Sequence, residues 1–155
     1  MGTKYRGTPA QVRALDAYIK LMRAADALSS RIHAHLANAK LSVSQFGVLE
    51  ALLHLGPLCQ SDLAHKLLKS GGNMTLVIDN LEKRGLVERV RSVADRRFIA
   101  VHLTETGREL VGRLIAPHVH GVVAAMDALS ADEQETLDSL CRKLGTAQKA
   151  SKTSR

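Results

Sequence analysis

The spacing of apolar residues changes twice along this 155-residue chain, and that change limits the possible folds more than any other feature. Residues 9–38 carry apolar side chains three and four positions apart, and three shorter helical segments follow up to Gly85. Apolar and polar residues then alternate in 86–92 and 97–104, before helical spacing resumes at residue 105. The sequence predicts a mainly α-helical protein with one small β-hairpin.

Local signals mark where the helices begin and end. Ser42 with Gln45 predicts a capping box at the start of the second helix, and Gly56-Pro57 predicts its end. Thr104 or Thr106 is expected to cap the helix after the hairpin. "SADE" (130–133) predicts a second capping box, which starts the final helix. Pro117 is expected to kink or break the helix between these two points.

The first helical segment carries a long apolar stripe that needs a surface to pack against. The centre of the chain offers only three short helices and a hairpin, so the long terminal helices leave apolar surface uncovered. A second copy of the chain would bury that surface, which predicts a homodimer. The stripe consists of Val12, Leu15, Ile19, Met22, Ala25, Leu28, Ile32 and Leu36.

Residues 60–84 predict two helices joined by a tight turn, the arrangement that lays one helix in the major groove of DNA. Ser70 is the predicted N-cap of the second of these helices, and Gly85 is its predicted end. Asp79 and Lys83 have the spacing of an ion pair on that helix. Its predicted inner face consists of Met74, Val77, Ile78 and Leu81.

The net charge of +7 is concentrated in three blocks, residues 1–40 (+5), 83–97 (+4) and 146–155 (+3). Basic ends keep a protein soluble, but the internal block falls on the hairpin and favours a polyanionic partner. The minor groove of B-DNA is only ~6 Å wide, and a thin loop enters it where a helix cannot. We therefore expect Arg96 and Arg97, at the hairpin tip, to contact DNA. Asp95 is expected to hold Arg97 in place before binding.

Two stretches of the chain resemble the winged-helix signature of the MarR (multiple antibiotic resistance regulator) family. "LEKRGLVER" and "DRRFIAVHLTETG" match it in the spacing of Asp95, Arg97, Leu103, Thr104 and Gly107, and "QSDLAHKL" is similar to the helix that supports the recognition helix. The likeness covers roughly residues 10–145. It implies a homodimeric winged helix-turn-helix repressor with interlocked first and last helices, released from a palindromic operator by small phenolic or oxidant signals.

With this resemblance, residues 1–155 are interpreted as one MarR-type chain. A winged helix-turn-helix lobe would span 40–104, dimerisation helices would span 9–38 and 105–148, and 149–155 would form a flexible tail. In the recognition helix, Asn80 suits adenine and Leu76 suits a thymine methyl group, although many relatives carry Arg at both positions. The predicted DNA-binding residues are Gln60, Ser61, Ser70, Asn73, Thr75, Leu76, Asn80, Lys83, Arg84, Arg91, Asp95, Arg96 and Arg97. Gln60, Ser61, Lys83 and Arg84 among them are expected to contact phosphates.

Relatives of this kind bind aromatic carboxylates between the helices and the DNA-binding lobe, which makes Met22, His33 and Phe46 candidate ligand-binding residues. Each is also explained by ordinary packing. Cys59 lies at the start of the third helix, where the helix dipole favours a reactive thiolate, so it is a candidate redox sensor. A small buried apolar residue is the alternative interpretation of Cys59.

Other function classes find little support in the sequence. No nucleotide-binding, nucleophile-elbow or metalloprotease motif occurs, and the two cysteines and seven histidines show no ligand spacing, so we expect no enzyme, metal site or cofactor. The lack of a long apolar segment predicts a cytoplasmic protein without a membrane span. Two alternatives remain, a winged-helix module that binds protein and an architectural protein that binds DNA of any sequence.

Overall fold

The computed structural model describes residues 2–67 and 71–150. Within them the chain is mainly helical, with a small sheet of one hairpin between the fourth and fifth helices and one short strand before the third helix. This is the predicted class, a winged helix-turn-helix with long terminal helices. The elements are α1 (Pro9–Ile32), α2 (Val43–Leu55), β1 (Leu58–Cys59), α3 (Gln60–Lys66), α4 (Gly71–Lys83), β2 (Val87–Arg91), β3 (Ile99–Leu103), α5 (Glu105–Met126) and α6 (Ala131–Ala150).

The sheet contains the predicted hairpin and one strand that was not predicted. β2 and β3 pair in antiparallel register from Val87 opposite Leu103 to Arg91 opposite Ile99. β1 adds to the other side of β3 and places Leu58 opposite Val101. A strand of two residues is too short to show alternation, so only the folded chain reveals it. Because β1 immediately precedes α3 and pairs with β3, this third strand places the start of α3 next to the wing.

The first helix is shorter than predicted. α1 ends at Ile32, and a 3-10 turn over Ala34–Ala37 replaces the rest of the segment that was expected to reach residue 38. The change of direction turns Leu36 into the central core, where it is buried. Lys40 then takes a left-handed backbone conformation (φ 52°) just before α2.

The buried apolar residues of the described chain lie between Leu36 and Val111, so the core belongs to the central lobe. The predicted inner face of α4 is confirmed, since all four of its residues are buried. By contrast, α1 has no buried residue, and residues 131–147 of α6 have none. The terminal helices therefore present much of their apolar surface to solvent in the single chain.

The predicted caps at Ser42, Thr104 and Ser130 are confirmed, and the cap at Thr104 fixes the start of α5 against the wing. Thr104 accepts a hydrogen bond from the Gly107 amide (3.0 Å) and donates one to the Gly85 carbonyl (2.6 Å). A Cβ on Gly107 would lie 1.9 Å from the Leu86 carbonyl oxygen, so only glycine permits this approach. Both capping boxes form as well, at Ser42 and Ser130.

Two further expectations meet a different outcome. The predicted ion pair of Asp79 with Lys83 is wrong, because Asp79 pairs instead with Arg89 of β2 (2.7 Å). α5 runs as one helix through Pro117, so a break at that residue is wrong, and a kink there stays a prediction. Across residues 2–67 and 71–150, no single helix has both the length and the apolar character to cross a membrane. α5 and α6 meet these criteria only when taken together, across a bend of 101°.

Candidate nucleic-acid interface

The exposed side of α4 carries the predicted base-contacting residues. The buried side packs on the core through Met74 and Ile78, which leaves Asn73, Thr75 and Leu76 on the outer surface. Asn80, one turn further on, is half-buried. Lys83 is exposed at the end of the helix, and Ser70 lies outside the described residues. Polar and apolar side chains lie side by side on this face of α4, which suits a helix that reads base edges in the major groove.

The first residue of α3 reaches across to α4. The Gln60 side-chain nitrogen lies 2.5 Å from the Thr75 hydroxyl oxygen and 3.4 Å from the Gly71 carbonyl oxygen. The Thr75 hydroxyl in turn lies 3.0 Å from that same carbonyl. Ser61 beside it is exposed. The two helices of the helix-turn-helix are thus joined by side-chain hydrogen bonds at the surface that would face DNA.

At the wing tip, Asp95 holds Arg97 as predicted. One carboxylate oxygen accepts from the Arg97 backbone N–H (3.0 Å) and from Nε (3.2 Å), and the other accepts from the guanidinium (3.3 Å). The guanidinium bonds, and then the backbone bond, lower the pKa of Asp95. The Arg97 side chain is nevertheless 92% exposed, so it is oriented and still open to a ligand. Arg91 braces the loop by donating to the Arg96 carbonyl (3.0 Å).

Arg89 joins the wing to the recognition helix, and the sequence analysis did not single it out. It forms ion pairs with Asp79 (2.7 Å) and Glu82 (2.6 Å), neighbours on one face of α4. Although partial burial alone would lower the pKa of Arg89, hydrogen bonds with both carboxylates raise it on balance. Two acidic residues three positions apart on α4, facing a basic strand, are the signal that could have revealed this contact.

Arg84 also has a structural partner. Its guanidinium donates to the backbone carbonyls of Lys40 (2.8 Å) and Ala39 (3.0 Å), which lie just before α2. The contact fixes the end of α4 against the turn that follows α1. A phosphate contact by Arg84 stays a prediction, and it would have to use the guanidinium edge that these carbonyls leave free.

A groove of about 350 Å³ separates the start of α3 from the wing. It brings together Gln60 and Ser61, predicted to lie near phosphates, with Arg97, predicted to enter the minor groove. These residues are far apart in the sequence, and the strand β1 is what brings them to one surface. The groove is lined by Cys59, Gln60, Ser61, Arg89, Arg97, Phe98, Ile99 and Val101.

Two of the three candidate ligand residues come together at a cluster of aromatic rings. The His118 ring on α5 lies 4.7 Å from the Phe46 ring and 5.5 Å from the His33 ring, centroid to centroid. His35 completes the cluster, 5.6 Å from His118. Met22, the third candidate, is 43% exposed on α1 and is not one of these rings. The sequence analysis missed His35 and His118, since nothing in the local pattern places them beside Phe46.

The cluster buries polar atoms. His35 Nε2 and His118 Nδ1 are buried and have no hydrogen-bond partner among the described residues. Burial lowers the pKa of His118, Glu50 on α2 opposes this shift, and His33 and His35 add to it. Two buried ring nitrogens with open hydrogen-bonding positions therefore lie at the junction of α2, α5 and the end of α1.

Cys59 lies at the start of α3, close to two polar side chains. The Cys59 thiol is half-buried and lies 3.0 Å from both the Ser61 hydroxyl and the Asp62 carboxylate. Its role as a redox sensor stays a prediction. Neither Cys59 nor Cys141 forms a disulfide. In the part of the chain that the structure describes, no three His, Cys, Asp or Glu side chains are arranged to hold a metal ion.

Comparison with known proteins identifies the family. The sequence profile of the MarR family matches residues 41–99, the lobe that carries α4 and the wing. YkoM of Bacillus subtilis, an HTH-type transcriptional regulator, is 32% identical over 133 residues, 86% of each chain. This chain belongs to the MarR family. It is a DNA-binding transcriptional regulator with the winged helix-turn-helix fold that its sequence predicts.

Solved structures of MarR-family proteins share this fold. Sco3205 of Streptomyces coelicolor, a MarR family regulator crystallised in complex with DNA, superimposes with a TM-score of 0.81 at 24% identity, over 93% of this chain and 91% of its own. BpsR of Bordetella bronchiseptica, whose DNA binding is regulated by 6-hydroxynicotinic acid, gives a TM-score of 0.74 at 27% identity. It covers 81% of this chain and 89% of its own.

Proposed function

We propose that this MarR-family regulator is a homodimeric repressor of transcription that reads a palindromic operator. Each copy would place α4 in the major groove and the wing in the adjacent minor groove, with half-sites roughly 34 Å apart. The observation that carries the proposal is Arg97, which Asp95 holds at an exposed wing tip. Arg97 shares a groove with Gln60, which contacts Thr75 on α4. An arginine that is oriented before binding loses little conformational freedom when it enters a narrow groove.

The proposed contacts divide into those that read bases and those that position the protein. Asn80 and Asn73 suit adenine, and Leu76 suits a thymine methyl group. Lys83 at the end of α4 and Ser61 near the start of α3 are exposed and suit phosphate oxygens. The mixed character of the α4 face favours sequence-specific reading over an architectural role, because binding without sequence preference can rely on lysine and arginine alone.

Apolar surface on the terminal helices supports the dimer. α1, α5 and α6 carry large apolar side chains that the single chain leaves exposed, whereas a stable soluble protein covers most such patches. A symmetric partner that packs the same helices against each other would bury these groups. The exposed residues are Tyr18, Leu21, Met22, Val119, Val123, Leu140 and Leu144.

The wing contact is tested by Arg97→Ala, on an operator selected from a random duplex pool. We expect affinity to fall by about 1–3 kcal/mol while the fold and the dimer survive, because only a DNA contact is removed. Arg142→Ala is the matched control, since it removes the same charge from an exposed side chain on α6 that also pairs with a nearby aspartate. Equal titration curves for Arg97→Ala and the parent protein would end the proposal for the wing. A pool that yields no preferred sequence would favour the architectural alternative.

We further propose that a small aromatic carboxylate binds at the ring cluster of His33, His35, Phe46 and His118 and releases the protein from DNA. Two buried imidazole nitrogens without partners there favour a ligand with polar groups, and the cluster joins the DNA-binding lobe to α5. The regulation of BpsR by 6-hydroxynicotinic acid supports this class of ligand. An oxidant response through Cys59 stays a separate prediction.

Calorimetric titration with 6-hydroxynicotinate and with benzoate tests the effector proposal. We expect binding by the parent protein and a loss of at least about tenfold in affinity for His118→Gln, because one hydrogen bond and one ring contact disappear. His54→Gln, an exposed histidine on α2, is the control and should bind as the parent does. Binding of neither compound by the parent protein, or equal binding by both variants, would contradict a site at this cluster.

A further inference from the structure

We propose that Gln60 is a positioning residue for DNA specificity, which sets the hydrogen bonding of the Thr75 hydroxyl and thereby makes Thr75 discriminate against guanine. The inference rests on the proposed function, since it concerns how α4 reads bases. It assigns to Gln60 a role different from the phosphate contact that the sequence predicts.

The direction of each hydrogen bond follows from the groups involved. The Gly71 carbonyl can only accept, so the Gln60 atom that lies 3.4 Å from it and 2.5 Å from Thr75 is the amide nitrogen, which can only donate. The Thr75 oxygen is therefore an acceptor toward Gln60. Its single proton is directed to the Gly71 carbonyl at 3.0 Å. Both the proton and one lone pair of Thr75 are thus already in use.

What remains on Thr75 is a methyl group and one lone pair, with no donor. The guanine edge in the major groove offers only the acceptors N7 and O6, which find no partner in such a side chain. Thymine offers a methyl group that suits the Thr75 methyl group, and the amino groups of adenine and cytosine can donate to the remaining lone pair. The Gln60 bond holds the Thr75 rotamer in which the hydroxyl faces the Gly71 carbonyl. Without that bond the side chain could turn about χ1 and donate its proton to guanine, so the discrimination depends on Gln60.

The same hydrogen bonds disfavour a phosphate contact by Gln60. Its amide nitrogen is shared between Thr75 and the Gly71 carbonyl, and the remaining amide oxygen is an acceptor, as phosphate oxygens are. Gln60 would have to leave Thr75 in order to reach a phosphate. Gln60 is also half-buried, whereas Ser61 beside it is exposed and better placed for that contact.

The test compares variants on a panel of operators in which the base facing Thr75 is changed to each alternative. Gln60→Met keeps the length of the side chain and removes its hydrogen bonds. We expect it to lower the discrimination against guanine by about three- to tenfold, the value of one hydrogen bond, and to leave affinity for the preferred base nearly unchanged. Ser61→Ala is the matched control and should weaken binding to all four operators equally.

A double-mutant cycle separates positioning from a direct contact. Thr75→Val keeps a methyl group and removes the hydroxyl, so it should retain the discrimination against guanine, and Gln60→Met should have no further effect in its presence. If Gln60→Met weakens binding to all operators equally, or acts in the same way with Val as with Thr at position 75, the inference is overturned. A parent protein that binds every duplex equally would instead refute the proposed function.

Discussion

The central lobe and the terminal helices of this regulator both carry many apolar side chains, but only the central lobe buries them fully within one chain. Between Leu36 and Val111 the chain buries leucine, valine, isoleucine, methionine and phenylalanine in one continuous core. In α1, and in α6 up to residue 147, no side chain is buried. Fully burying one such side chain contributes roughly 1.5–3 kcal/mol, so the exposed leucines of α6 represent stabilisation that a single copy does not obtain.

The two regions differ in whether contacts within one chain fix their geometry. Where a core is complete, the positions of α4 and the wing are fixed by contacts within one chain, such as Arg89 with Asp79 and Glu82. Where apolar faces stay open, contacts within one chain do not determine what the helices pack against. In the proposed dimer, the DNA-reading parts of each copy would be set internally, and the distance between the two copies would be set by the terminal helices.

The largest effect is expected from charges placed on the open face of α6. Leu140 and Leu144 are 59% and 50% exposed, so the double variant Leu140→Glu/Leu144→Glu should leave the central lobe folded and separate the proposed dimer. Loss of the second binding module should reduce operator affinity by about 10²–10⁴-fold. Analytical ultracentrifugation and a gel-shift titration measure the two consequences.

Leu76→Glu is the matched control for that experiment. Leu76 has the same exposed fraction as Leu140, 59%, but lies on the outer face of α4. The Leu76→Glu protein should sediment as the parent protein does and lose only DNA binding. A double α6 variant that sediments as the parent protein does would remove the distinction between the two regions.

A smaller effect is expected at Gly107, where the central lobe meets α5. In Gly107→Ala the new methyl group would overlap the Leu86 carbonyl, so either the wing or the start of α5 must shift. Overpacking of this kind costs about 1–3 kcal/mol. Urea denaturation measures the free energy of unfolding, with Gly112→Ala on the same helix as control, because a Cβ there meets no atom within 4 Å. Equal losses in the two variants would contradict the role of this contact.

The smallest effect is expected from pH at the ring cluster. Burial lowers the pKa of His118 below its ordinary 6.5, with His33 and His35 adding to the shift and Glu50 opposing it. Between the lowered pKa and 6.5 the unfolded chain binds more protons than the folded one, so stability falls as pH falls through this window and is fully present above it. His118→Gln should reduce the slope of the unfolding free energy against pH just below 6.5. His54→Gln should keep it, and a slope unchanged by His118→Gln would assign the effect to other groups.

Much of the fold could be predicted because its signals are local. The caps at Ser42, Thr104 and Ser130 depend on residues three positions apart, and the hairpin follows from alternation within a few residues. The same holds for the contact between Asp95 and Arg97, two positions apart at the wing tip. In each case the partners are neighbours in the chain, so the spacing of residue types already determines the geometry.

What the tertiary structure decided involves partners that are distant in sequence. The strand β1 exists only because Leu58 meets Val101, and Arg84 finds its carbonyl partners 44 and 45 residues away. His118 reaches Phe46 only because α5 packs on α2. The spacing of apolar residues predicts that one face of a helix will be buried. It does not identify the element that packs on that face, because the hydrophobic effect is not directional. The amino-acid sequence by itself therefore determined the elements, their order and the wing motif, and folding in three dimensions decided which side chains meet between them.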